Sequence, residues 1–138
     1  MNLMFALALA LATMRYALTT AGKSLIAARL VGTSLAAVDA ANGHIGVGDS
    51  STAFAVGQTD LVAATNKFRK ILNAAPGLSG ADMTFVAVFA SGEANYAWNE
   101  MGIFNHASAG TMLSRKVISQ GTKASGQVWT YTVVVTVG

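Results

Sequence analysis

The chain has no cysteine, a single proline and few charges. Without cysteine there is no disulfide framework and no thiolate chemistry, and the redox compartment goes unread. Charged residues make up 11% of the chain, against about 25% in an ordinary soluble domain. The net charge of +3 is small, and no basic tract interleaves with aromatics. Lys67, Arg69 and Lys70 cluster, as do Arg115 and Lys116, but nucleic-acid binding needs a denser footprint. No apolar run is long enough for a membrane helix. Leu3 to Ala12 is unbroken but falls short of the roughly 20 residues required. It resembles the core of a signal peptide, yet no Lys or Arg precedes it, so a buried or interfacial segment is expected.

What is present is apolar. Hydrophobic residues account for 53% of 138 residues, much of that alanine. The length suits one domain, 1–138, with an apolar docking segment at 1–18 and an α+β body at 19–138. A domain this small displays most of its residues to something, so a surface this poor in charge implies contact with protein. An oligomer or assembly subunit is the expectation. The alternative is a monomer coated in Ala, Ser, Thr, Asn and Gly.

The patterning divides the chain in two. Residues 3–18 fit both periods: Phe5, Leu7, Leu9 and Leu11 alternate as in a strand, while Leu3, Leu7, Leu11 and Leu18 share a helical face. Alanine and leucine favour the helix. A second helix is expected over Ala21–Val31, capped by Thr19 or Thr20 and stopped by Gly32. A third is expected over Asp60–Ala75, with Leu61, Ala64, Phe68, Ile71 or Leu72, and Ala75 on one face and Pro76-Gly77 beyond it. His44–Val47 reads as a short strand. From residue 81 the period becomes two, with strands at Met83–Ala90, Tyr96–Phe104, Thr111–Ser119 and Gln127–Val137. The expected class is α+β: an antiparallel sheet or small sandwich in the C-terminal half, and two to three helices in the N-terminal half.

Asn95–Leu113 holds the most information. Tyr96, Trp98, Glu100, Gly102 and Phe104 recur at two-residue spacing, which in a regular strand puts them on one face. A carboxylate among aromatics needs a partner, and Arg69 and Arg115 are the candidates. Gly102 suggests a bulge or a close backbone approach. Trp98, Glu100, Gly102, Phe104 and Arg115 are therefore structural or interface candidates, with Leu7 and Leu11 as docking residues.

Motifs of chemistry are weak by comparison. Ala17–Ser24 ends in Gly22-Lys23-Ser24 like a phosphate loop, but Gly22 is its only glycine and no strand ending in Asp is present to hold magnesium. Gly46-Val47-Gly48-Asp49-Ser50-Ser51 reads as a turn. His44 and His106 lack ligand spacing. The six carboxylates stand singly, and no nucleophile elbow occurs. No catalytic residue, cofactor, metal or small-molecule substrate is expected.

The block W-N-E-M-G-I-F-N-H-A-S-A-G-T-M-L-S-R-K-V, Trp98–Val117, resembles small virion proteins of tailed bacteriophages. In those a W-x-E-x-G-[LIVF]-F core precedes a glycine turn and a strand like M-L-x-R. I-G-V-G-D-S-S at 45–51, T-D-L at 59–61, K-F-R-K at 67–70, G-T-K at 121–123 and W-T-Y-T-V-V-V-T-V at 129–137 fit the same pattern in the same order. The shorter E-x-G-[LI]-F core is also similar to the attachment region of tail-collar and tail-fibre proteins. The resemblance implies a virion structural protein, an adaptor at the tail or neck joined to collar, fibre or baseplate. It implies a homo-oligomer, a trimer among the options, held to other virion proteins. A capsid decoration or head-fibre protein is the alternative. A carbohydrate-binding β-sandwich is a reading of another class, and it needs Tyr96, Trp98 and Trp129 exposed as a stacking platform.

Overall fold

Alternation of large apolar residues with threonine and small residues sets most of the architecture. A computed structural model describes residues 16–138, which form two antiparallel sheets facing one another, with one α-helix. In chain order the elements are β1 (Ala17–Leu18), α1 (Thr20–Leu30), β2 (His44–Gly48), β3 (Lys67–Ile71), β4 (Gly77–Ser79), β5 (Asp82–Phe89), β6 (Ala97–Phe104), β7 (Met112–Thr122) and β8 (Trp129–Thr136). One sheet runs β1-β7-β6-β2-β3 and the other β4-β5-β8, with every pairing antiparallel.

The core lies between the sheets. Ile45, Val47, Trp98, Met101 and Ile103 from the larger sheet meet Phe85, Phe89, Val133 and Val135 from the smaller. Trp98 anchors it, fully buried, with edge-to-face contacts to Phe89, Trp129 and Tyr131 at centroid distances of 4.7, 4.9 and 5.7 Å. Such pairs add about 0.5–1.5 kcal/mol each beyond burial. Tyr16 closes the side, its hydroxyl 3.0 Å from that of Tyr131.

The helix expected after Thr19 forms. The Thr19 hydroxyl accepts from the Gly22 amide at 2.8 Å and donates to the Met112 carbonyl, tying cap to sheet. Gly22 lies directly on the Leu113 carbonyl, where no Cβ fits. Gly32, at φ +78°, follows the helix. These contacts also account for the resemblance to a phosphate loop: Gly22 is needed for close packing, and the Thr20 amide is already bonded to the Val56 carbonyl at 2.8 Å.

Among the described residues the fold is mainly β with one helix, which corrects the expected α+β class with two to three helices in the N-terminal half. Asp60–Ala75 is not a helix; it is a loop followed by strand β3. Phe68 enters the core side, 6.3 Å from Phe89, while Arg69 lies opposite Gly46 in β2. The spacing of Leu61, Phe68 and Leu72 imitates a helical face because loop and strand both send side chains inward. Pairing with β2 over five residues overrides local propensity. Pro76-Gly77 opens β4 instead of ending a helix. The helix expected over 3–18 lies outside the described residues up to 15, as do Leu7 and Leu11. Residues 17 and 18 of it form strand β1, so among the described residues α1 is the only α-helix.

All three tyrosines of the chain titrate above their ordinary range. Burial raises Tyr16, with neighbouring Tyr131 adding to it. Burial raises Tyr96, with the negative charges of Asp49 and Glu100 adding. Burial raises Tyr131 against an opposing hydrogen bond from Tyr16. A raised phenol stabilises the fold below its unfolded pKa of about 10 and loses that contribution as pH rises. Phenolate absorbance is therefore expected to develop only together with loss of near-ultraviolet circular dichroism. Reversible titration of any tyrosine near its ordinary value in folded protein contradicts this.

Candidate functional site, a buried ion pair beneath a surface strap

Strand β6 does not keep its candidates on one face. Trp98 stands opposite Gly121, but Glu100 stands opposite Val117, so the register slips between them. Asn99 alone lies opposite three β7 residues, 118–120, and at this irregularity the strand turns over. Trp98, Met101 and Ile103 face the inter-sheet core, whereas Glu100, Gly102 and Phe104 face the other side of the large sheet. The two-residue spacing of Tyr96 through Phe104 thus carries residues from two faces. The surplus residues are on β7, and irregular pairing of this kind increases the local twist and re-aims the side chains beside it.

On that outer side the segment 49–66, between β2 and β3, crosses the sheet as a strap. Glu100 holds it. Its Oε1 accepts from the Ala63 amide at 2.8 Å and its Oε2 from the Val62 amide at 2.9 Å. Arg115, one strand over, donates to Oε2 through Nε at 2.8 Å and Nη2 at 2.7 Å. Arg115 then reaches the strap itself, through Nη2 to the Thr52 carbonyl at 2.9 Å and Nη1 to Gln58 Oε1 at 3.0 Å. Neither charged side chain has any exposed surface. Of the two partners considered for Glu100, the structure selects Arg115.

Glycines make room for this chemistry. Gly48 pairs with Glu100, and a Cβ there would sit 2.5 Å from Glu100 Oε1. Gly46 pairs with Gly102, and a Cβ on Gly46 would sit 2.6 Å from Phe104 Cε2. Phe104 fills the space with Leu61 and Met112 as a second small core under the strap. Gly102 is the close approach expected of it: a Cβ would lie 3.1–3.2 Å from the Ser114 carbonyl, Met112 and Phe104.

Arg69 serves the neighbouring corner. Its guanidinium carbon lies 3.5 Å from the Phe104 ring centroid, and it bonds Asp60 Oδ1 at 3.0 Å and the carbonyls of His106 and Ala109. Burial opposes the charge on Asp60, but hydrogen bonds from Arg69, Lys67 and the Leu61 amide prevail and hold its carboxyl below the usual range. The loop after β6 is closed by Asn105, which accepts from the Thr111 amide at 2.7 Å, and turns through Gly110 at φ +65°. His106 is exposed in this loop, and His44 is buried with its Nδ1 against the Asn42 carbonyl. No three residues of His, Asp or Glu gather as a metal site among the described residues.

Two features escape sequence reasoning. Lys123 is fully buried, donating to the Ala90 carbonyl at 2.8 Å and Asn95 Oδ1 at 2.7 Å. Its only sequence signal is a lone cation in an uncharged stretch. Asp60 becomes an acceptor for Lys67 and Arg69 instead of a helix-start residue. The Glu100 carboxylate, with both oxygens engaged and no exposed surface, can position a chain segment but cannot meet a solute.

No protein-family model matches the chain, and no curated protein or solved structure is significantly similar to it.

Glu100→Ala is expected to leave Arg115 buried without its anion and to free two strap amides. Breaking such a pair costs about 3–5 kcal/mol, which chemical denaturation measures, with new proteolytic cleavage inside 49–66. Unchanged stability and an uncut strap would refute the assignment. On the acid side, the lowered Asp60 carboxyl contributes stability above its unfolded pKa of about 4, and that contribution is lost as pH falls through the folded value. Asp60→Asn should therefore flatten the acid limb of a stability–pH curve. An acid limb identical to wild type would exclude Asp60 as a cause.

Proposed function

We propose that this chain is a structural protein of a tailed-phage virion, an adaptor or attachment subunit at the tail or neck that acts by protein–protein assembly. The observation that carries the proposal is the ordered resemblance over about residues 19 to 137, centred on W-N-E-M-G-I-F. Four residues of that block have folding tasks here: Trp98 fills the core, Glu100 holds the strap, Gly102 leaves room for Met112 and Phe104, and Phe104 packs against Leu61 of the strap. A motif that builds a scaffold suits a family defined by assembly.

The surface supports the same reading. Leu30 is 86% exposed and Leu78 77%, on either side of an apolar groove of about 500 Å³ lined by Leu25, Ile26, Met83 and Phe85. Bare aliphatic residues around a groove mark a contact surface in many proteins. The carbohydrate reading gains nothing from the aromatics. Trp98 is buried, and Tyr96 and Trp129 are half-buried against the core.

Antibody labelling of purified particles, with mass spectrometry of their proteins, tests the proposal. Label at the tail or neck is the expected outcome. Label spread over the head would favour the decoration or head-fibre alternative. Absence of the protein from intact particles would rule out both.

A further inference from the structure

Edge strands are templates for another chain, and proteins that stay apart shield them with charge, proline, bulges or brevity. Three of the four edges here are shielded. β1 has two residues and β4 three, and β3 carries Lys67, Arg69 and Lys70 within five. The fourth, β8, is eight residues of W-T-Y-T-V-V-V-T with no charge, proline or glycine. It pairs with β5 on one side, and no described residue pairs with the other. Its outward face is Thr130, Thr132 and Val134, the valine 45% exposed, with Val137 at 41% beyond the end.

We propose that the free edge of β8 pairs antiparallel with β8 of a second copy, joining two three-stranded sheets into one. The strand is complementary to itself. With Val133 opposite its own copy, Thr132 meets Val134, Tyr131 meets Val135, Thr130 meets Thr136 and Trp129 meets Val137. Positions on the same face stay together, so Tyr131, Val133 and Val135 continue the inner apolar layer across the junction. β-branched and aromatic cross-strand pairs of this kind stabilise sheets, and with no charge in the strand no like charges oppose. A two-fold axis through Val133 closes the pair, as isologous contacts require. The inference rests on the assembly reading and names one of its surfaces.

The test places charge on exposed positions of the full chain. Sedimentation velocity and light scattering are expected to show wild-type self-association. Thr132→Lys with Val134→Lys brings four lysines together at the junction, and the species should fall to half the mass with unchanged circular dichroism and melting. Thr132→Glu with Val134→Glu should do the same, and mixing the two variants should restore the pair. If a double variant unfolds, Thr132→Lys and Thr132→Glu alone give the same comparison, at an exposed site. Association that survives the lysines overturns the β8 contact while leaving assembly intact. Lysine and glutamate variants that stay apart when mixed also overturn it, and give the edge to another occupant, such as residues 1–15. A wild type that is monomeric at every concentration removes the assembly reading and this contact together.

Discussion

A carboxylate and a guanidinium withdrawn from water hold their geometry only while every other acceptor and donor around them is also satisfied. Glu100 and Arg115 meet that condition by recruiting the strap: two of its amides complete the carboxylate, and one carbonyl and one side-chain oxygen complete the guanidinium. The pair therefore does more than link β6 to β7. It converts an irregular segment into a fixed cover for the outer face of the larger sheet. The two glycines of β2 answer the same demand, because side chains at 46 or 48 would occupy the space of Phe104 or of the carboxylate.

This arrangement gives the protein two cores of different kinds. Between the sheets, aromatic and aliphatic side chains pack with no charged partner among them, the Trp98 indole nitrogen donating to the Ala94 carbonyl. Under the strap, a small apolar cluster surrounds a buried ion pair. The second core surrounds buried charge with little hydrophobic area, and the observed placement of 49–66 satisfies the carboxylate and the guanidinium at once. A surface positioned by so many fixed bonds is suited to presenting a constant shape to a neighbour. That is consistent with an assembly role and with the scarcity of surface charge.

Much of the architecture was legible in the chain. The threonine–valine alternation of β8, the doubly apolar β5 and the capped helix after Thr19 are local patterns whose period carries the answer. The need of Glu100 for a cation was also readable, because a lone acid among aromatics demands one, but Arg69 and Arg115 stayed open until the structure selected Arg115. The helix expected at 60–75 fails for a related reason. Its apolar spacing was real, but it came from a loop and a strand packing on two different cores. Lys123 left almost no trace, since its acceptors are a carbonyl and an amide brought from 28 or more residues away.

By itself the sequence determined the strands after residue 81, the helix with its threonine cap, and the need to neutralise Glu100, because those depend on period, capping and the cost of an unpaired charge. Only the tertiary structure decided which face each half of β6 presents, since the slip in register opposite Asn99 is a matter of pairing with β7 and not of local preference. Only the tertiary structure, too, made 49–66 a strap and 67–71 a strand. Their hydrogen bonds go to residues distant in the chain, and no local signal specifies where a backbone amide will find its acceptor.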